Sequence, residues 1–260
     1  MRKYAMTFRI ALQNALLYRG NLAAGFITYA MFIFVFLYLW TAIYEGGGVE
    51  ELTLTQVVWY LCVTEIISFG ANTRVYATVA EDVKSGAIAY QLLRPYGYIG
   101  YQFASAMGLA VVNILLFGAV GILLGSLFVG PIPSYALWTL LPAMLSLLLG
   151  VSLYFFVQLL IGLSAFFIED PYGINLLFGK FVLMFGTFIP IEFLPDWLTA
   201  IARKMPFSYV SWAPARLFVG YSRELFFQAV PMQLMYLSLF MALCALCLAA
   251  GRRRVQANGG

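Results

Sequence analysis

The chain has no histidine and only three cysteines among its 260 residues. Without histidine there is no neutral-pH proton shuttle and no imidazole metal ligand. Three cysteines make no disulfide framework. Charge is equally scarce: Asp, Glu, Lys and Arg make up 10% of the sequence, against about 25% in an ordinary soluble domain. No polar stretch approaches the ~100 residues of a separate soluble domain, so a single membrane domain over 1–260 is the simplest organisation. Cys244 and Cys247 have the spacing of a redox or metal pair. Inside an apolar helix with no further ligand they read as packing residues.

What the sequence does have is long apolar runs, at 21–43, 55–77, 101–129, 136–168, 174–190 and 229–251. A bilayer core about 30 Å deep needs roughly 20 apolar residues in a spanning helix. Lipid offers the backbone no hydrogen bonds, so a span is either helical or part of a closed barrel. Barrel strands alternate over about ten residues, and these runs are too long and too continuous for that. The expected fold is an all-α membrane protein with six transmembrane helices.

The net charge of +4 is no nucleic-acid signal; its meaning lies in placement. Arg2, Lys3, Arg9 and Arg19 precede the first run. Arg74, Lys84 and Arg94 follow the second, and Arg252, Arg253 and Arg254 follow the last. Ten of the 15 basic residues therefore share one side if six helices alternate from a cytoplasmic N-terminus, as the positive-inside rule asks. The first outer loop agrees, with Glu45, Glu50 and Glu51 and no cation. Two places disagree: the cytoplasmic connection at Glu169 and Asp170 has no basic residue, and the outer segment 191–228 carries Arg203, Lys204, Arg216 and Arg223. The first run is too long for a signal-peptide core and lacks a convincing cleavage pattern.

Several shorter segments have their own character. In 1–19, Tyr4, Phe8, Leu12 and Leu16 recur every four residues. This predicts an amphipathic helix in the membrane interface, or else an extension of the first span. Gly46-Gly47-Gly48 marks a turn, as does 130–134. Gly121 and Gly125 form a small-xxx-small pair suited to close helix approach. The fourth run is over-long, so its helix is tilted, broken or longer than the bilayer. Pro190, Pro195, Pro206 and Pro214 break the aromatic-rich stretch 187–228, which cannot be one straight helix. With Trp197, Tyr209, Trp212 and Tyr221 suited to headgroup depth, it reads as short helices dipping into the outer leaflet or as a plain interfacial loop.

The loop after the second run, 79–95, places Glu81 and Asp82 where a helix N-terminus favours acids, and Pro95 ends it. Val83, Ile88, Leu92 and Leu93 lie beside Lys84 and Arg94. That is either a short amphipathic docking helix or a solvated connector. Two charges fall inside spans: Glu65 in the second and Lys180 in the fifth. Such charges cost about 2.5–3.5 kcal/mol on insertion scales. Either they pair or face a subunit seam, or Lys180 snorkels and Glu65 is neutral or near the outer surface.

The run Glu81-Asp-Val-Lys-Ser-Gly86 followed by Leu92-Leu-Arg-Pro95 resembles the cytoplasmic loop of ABC-2 type exporter permeases. Phe188-Ile-Pro-Ile-Glu-Phe-Leu-Pro-Asp-Trp-Leu198, Pro206 and Pro214-Ala-Arg-Leu-Phe-Val-Gly220 extend the resemblance, which covers nearly the whole chain through the order of its parts. It implies an interfacial helix over 1–19 and a coupling helix over 78–95 that a separate ATPase grips through Glu81, Asp82, Lys84, Gly86, Leu92, Leu93 and Arg94. It also implies a re-entrant outer gate over 191–228 that includes Pro190, Phe193, Leu194, Pro195, Trp197 and Pro206. By the same resemblance the chain pairs with an identical or related permease subunit in a bacterial inner membrane, amid lipid and without nucleic acid. Both termini would be cytoplasmic, and ATP-Mg would be bound by the partner alone. The 169–170 connection departs from the pattern by lacking cations. Gly173 to Lys180 mimics a P-loop, but the gap is one residue too long, Phe181 replaces the hydroxyl, and the setting is a membrane span.

The expected function is therefore export of a hydrophobic or amphipathic cargo by alternating access. An ion-coupled secondary transporter using Glu65 and Lys180 is the alternative, although no internal repeat accompanies those charges. An intramembrane enzyme is disfavoured by the missing histidine and the absence of an acidic cluster at mid-depth.

Overall fold

In the computed structural model, residues 2–17, 20–47, 52–132 and 137–258 are described. Arg19, Gly48, Glu50, Glu51, Pro133 and Ser134, which the sequence assigns to loops and flanks, lie outside them. All regular elements among the described residues are helical. They are α1 (Arg2–Leu17), α2 (Gly20–Glu45), α3 (Leu54–Ala71), α4 (Val75–Lys84), α5 (Ala87–Leu92), α6 (Tyr98–Val129), α7 (Leu140–Leu163), α8 (Tyr172–Val182), α9 (Asp196–Ala202), α10 (Ser208–Val219) and α11 (Arg223–Asn258).

Among the described residues, five helical stretches are long and apolar enough to cross a bilayer: Ala24–Glu45, Leu54–Lys84, Tyr98–Val129, Leu140–Phe166 and Arg223–Arg254. The fifth expected run, 174–190, is shorter. Its helix, Tyr172–Thr187, passes from α8 into a π-helical turn at Leu183–Thr187 and stops before Pro190. At about 1.5 Å per residue it spans only about 24 Å. Pro190 denies the preceding residue helical geometry, which ends the helix early.

Neighbour pairs fix the directions of the helices. Gly70 meets Ile114, Gly121 meets Ile66 and Tyr29, and Gly125 lies against the Trp59 ring, so α3 runs antiparallel to α6. A Cβ on Gly125 would stand 2.8 Å from that indole, so the small-xxx-small pair does serve close packing. α7 and α11 run parallel: Ser146 bonds Gln233, Cys244 Sγ donates to the Phe156 carbonyl, and Phe166 meets Gly251. The chain between them must therefore return the length of the bundle, and α8 and α10 make that return. Phe207 packs between Phe178 and Phe181, and Ser211 meets Gly186, which sets α10 parallel to α8.

α10 is the centre of the molecule. Ten of its 12 residues are buried, Tyr209 and Trp212 among them. These two aromatics are thus covered by protein. Pro214 cannot donate to the carbonyl of Val210. That carbonyl instead lies against Gly150 of α7, 2.5 Å from where a Cβ would be.

α1 lies along the first turns of α6 in the same direction. Tyr4 sits at Gly97 and Gly100, while Phe8 and Leu12 sit at Gly108. The Tyr4 hydroxyl accepts from Gly97 N at 3.0 Å, and Lys3 Nζ donates to the Pro95 carbonyl at 3.0 Å. Of the apolar stripe read from the sequence, Tyr4, Phe8 and Leu12 are half-buried; the Leu16 side chain lies outside the described set.

Candidate functional site

The segment nominated for docking is an elbow of two helices. α4 ends at Lys84 because Gly86 takes φ +75°, a left-handed conformation that costs glycine nothing, and α5 starts afresh at Ala87. Glu81 and Asp82 therefore occupy the last turn of α4. This corrects the expectation of a helix N-terminus there. Asp82 is committed to the fold, accepting from the Tyr98 hydroxyl at 2.8 Å and from Gln102 Nε2 at 3.4 Å.

Ile88 is fully buried and roots α5 in a cluster with Val79, Tyr98, Phe155 and Leu163, against which Val83 and Leu92 also pack. What the elbow presents outward is Tyr90, 78% exposed, and Leu93, 83% exposed, with Glu81, Lys84, Gly86 and Arg94 around them. Arg94 donates to the Tyr96 hydroxyl at 2.7 Å, a bond that raises its already high pKa and keeps the charge in place.

Asp170, in the connection that lacks basic residues, pairs with Lys84 at 3.1 Å. The hydrogen bond from Lys84 is the main reason the Asp170 carboxyl titrates below its ordinary value. The missing cation of that loop is thus lent by the elbow. At the same end of the bundle Arg254 donates to the Phe166 carbonyl at 3.0 Å and lies over the Phe167 ring. The elbow, the starts of α1 and α6, the 164–172 turn and the end of α11 form one surface.

At the other end, Pro190 is buried and leads into a 3-10 turn at Ile191–Phe193. Phe193 packs on Trp40, with centroids 5.2 Å apart. Leu194 follows the turn, Pro195 caps α9, Trp197 is 66% exposed on it, and Pro206 separates α9 from α10. Glu192 accepts from Arg216 Nε at 2.8 Å and from Trp212 Nε1 at 3.1 Å, while Tyr209 donates to the Arg203 carbonyl. Residues 191–204 therefore run antiparallel to α10 as a hairpin. The Glu192–Arg216 pair is largely shielded, with side chains 11% and 19% exposed. It neutralises one cation of the segment that departs from the positive-inside pattern. A cavity of about 540 Å³ lies beside it, lined by Glu192, Arg203, Arg216, Glu224 and Gln228.

Glu65 and Lys180 are not brought together. Glu65 is buried at 3% exposure and its Oε1 has no partner, whereas Lys180 is exposed on α8. The ion pairs among the described residues are Lys84–Asp170 and Arg216–Glu192. Cys62, Cys244 and Cys247 are free thiols.

Sequence reasoning missed Tyr90, Asp170, the Glu192–Arg216 pair and the buried Ser146–Gln233 contact. Tyr90 lay inside the nominated segment and could have been chosen as its large apolar residue. The other pairs join residues 24 to 87 positions apart and leave no local pattern.

A family model described as ABC-2 family transporter protein matches residues 26–259. A comparison with curated proteins finds no match.

Proposed function

The chain belongs to the ABC-2 family of transporter proteins, and from that premise we propose that it is the permease subunit of an ATP-driven exporter. Such a multi-pass membrane component is generally not catalytic itself; separate cytoplasmic ATPase subunits hydrolyse the nucleotide. In this reading Tyr172–Thr187 and α10 together complete a sixth crossing. Both ends of the chain then face the cytoplasm of a bacterial cell, and the 191–219 hairpin dips in from outside. The parallel course of α7 and α11 supports it.

The observation that carries the proposal is the elbow. It is rooted by Ile88, tied to the 164–172 turn through Lys84 and Asp170, and offers Tyr90 and Leu93 to an outside partner. Exposed aromatic and aliphatic anchors flanked by charge are what a protein interface uses. A push on the elbow reaches α7 through Val79, which packs on Gly162, and reaches α6 through Asp82. Movement there would open the seam with a second, identical or related permease subunit toward the outside. The cargo is hydrophobic or amphipathic.

The test is purification of the tagged full chain from its native membrane, with Tyr90→Asp and Leu93→Asp compared with the parent. An ATPase should co-purify with the parent, and each variant should retain about tenfold less or weaker, as for an interface anchor, with an unchanged melting temperature. Equal retention by both variants, or no ATPase with the parent, overturns the reading.

A further inference from the structure

A cleft of about 470 Å³ opens between the α3–α4 turn, α7 and α8. Arg74 and Lys180 line it from different elements, and no Asp or Glu does. Neither cationic side chain has an ion pair or hydrogen bond among the described residues. The neutral polar groups of the lining can add donors. Buried Gln158 gives its Nε2 to Asn175 Oδ1 at 2.8 Å, so Asn175 has its N–H groups left to offer, and Tyr76 and Tyr154 add hydroxyls. Arg74 is held at φ +54°, the one positive φ among the described non-glycine residues. Its carbonyl accepts from the amides of Ala77 and Thr78, which anchors the turn.

The surroundings of Lys180 are apolar. Leu176, Leu177, Phe181 and Met184, within four positions of it on the same helical stretch, are 42–61% exposed. A lone cation in an exposed apolar stripe of a membrane helix is costly. An anionic headgroup offsets that cost, and a guanidinium can bind one phosphate through two bonds.

We propose that this cleft binds the phosphate headgroup of an anionic membrane lipid, held by Arg74 and Lys180, with its acyl chains along the exposed stripe of α8. This site lies at the start of α4, away from the exposed Tyr90 and Leu93 of the elbow, and its test needs no ATPase, so its failure and that of the export reading are distinguishable.

The experiment uses the purified full chain in neutral detergent and native mass spectrometry, titrating phosphatidylglycerol, phosphatidylcholine and inorganic phosphate. Phosphatidylglycerol should bind more tightly than phosphatidylcholine. The Arg74→Gln/Lys180→Gln double variant should weaken phosphatidylglycerol about tenfold or more, the loss expected when two charge-assisted contacts go. Its phosphatidylcholine binding and melting temperature should stay unchanged. Arg74→Lys/Lys180→Arg should retain binding, and the single glutamine variants serve if the double variant does not fold. Equal affinity for the two lipids, or unchanged phosphatidylglycerol binding in the glutamine variants, overturns the proposal. Displacement of the lipid by millimolar inorganic phosphate overturns the lipid assignment in favour of a free-anion site.

Discussion

Gly150 faces two immovable neighbours, the carbonyls of Val210 and Tyr209, at 2.5 and 3.2 Å from a would-be Cβ. Backbone atoms cannot rotate aside, so Gly150→Leu should cost about 3 kcal/mol or block folding, the upper range for overpacking. Gly118 has nothing within 4 Å, so Gly118→Ala should be neutral or slightly stabilising through helix propensity. Thermal unfolding of both variants in detergent checks the contrast. Nearby, Gln233 Nε2 donates to the carbonyls of Ser146 and Tyr209, and Ser146 Oγ donates to Gln233 Oε1. A double-mutant cycle with Ser146→Ala and Gln233→Leu should give a coupling of about 0.6–1.7 kcal/mol, the range for polar contacts between membrane helices. Additivity would show that the contact carries no energy of its own. Neither glycine's role was legible in the sequence. Gly150 and Gly118 are alike as letters in apolar runs, and only the neighbour 60 residues away distinguishes them.

Among the elements, the elbow depends on a tie between α4 and the 164–172 turn. Lys84 and Asp170 are 41% and 65% exposed, and surface pairs add little to global stability. The expected effect is local. Asp170→Asn should speed amide hydrogen exchange at Ser85 and Gly86, whose amides bond Glu81 and Val83 carbonyls, with no change in melting temperature. Asp170 titrates below its ordinary 3.8 in the folded chain. Its contribution is therefore fully present above that value and lost as pH falls through the lower, folded one. Exchange at the elbow should thus show no added pH dependence from this tie between pH 5 and 8, and a transition in that window would contradict the assignment. The sequence left a short amphipathic helix and a solvated connector both open here, with a stop at Pro95, and α5 ends at Leu92. It did not foretell two helices, because Gly86 can extend or break a helix and only the packing of Ile88 decides which.

Over the whole molecule, Ser85, Ser222 and Arg253 report orientation. Ser85 and Arg253 sit at the elbow end, and Ser222 at the Val219 end. Cysteines placed at Ser85 and Arg253 should react with an impermeant maleimide from one side of sealed vesicles, and one at Ser222 from the other. Labelling of all three from one side would defeat the proposed topology. The sequence by itself determined the solvent and the helical class. Apolar length and prolines act within one segment, and their energies need no partner. It also placed the breaks at Pro190 and Pro206 near where they occur. Tertiary structure alone decided that α10 is the core, that α1 is clasped by α6, that Glu192 neutralises Arg216, and that Glu65 and Lys180 stay apart. Each of these depends on which faces meet across tens of residues. In a chain that is 63% hydrophobic nearly every face is apolar, so the choice falls to glycine gaps and a few polar contacts. Their geometry exists only once the helices have assembled.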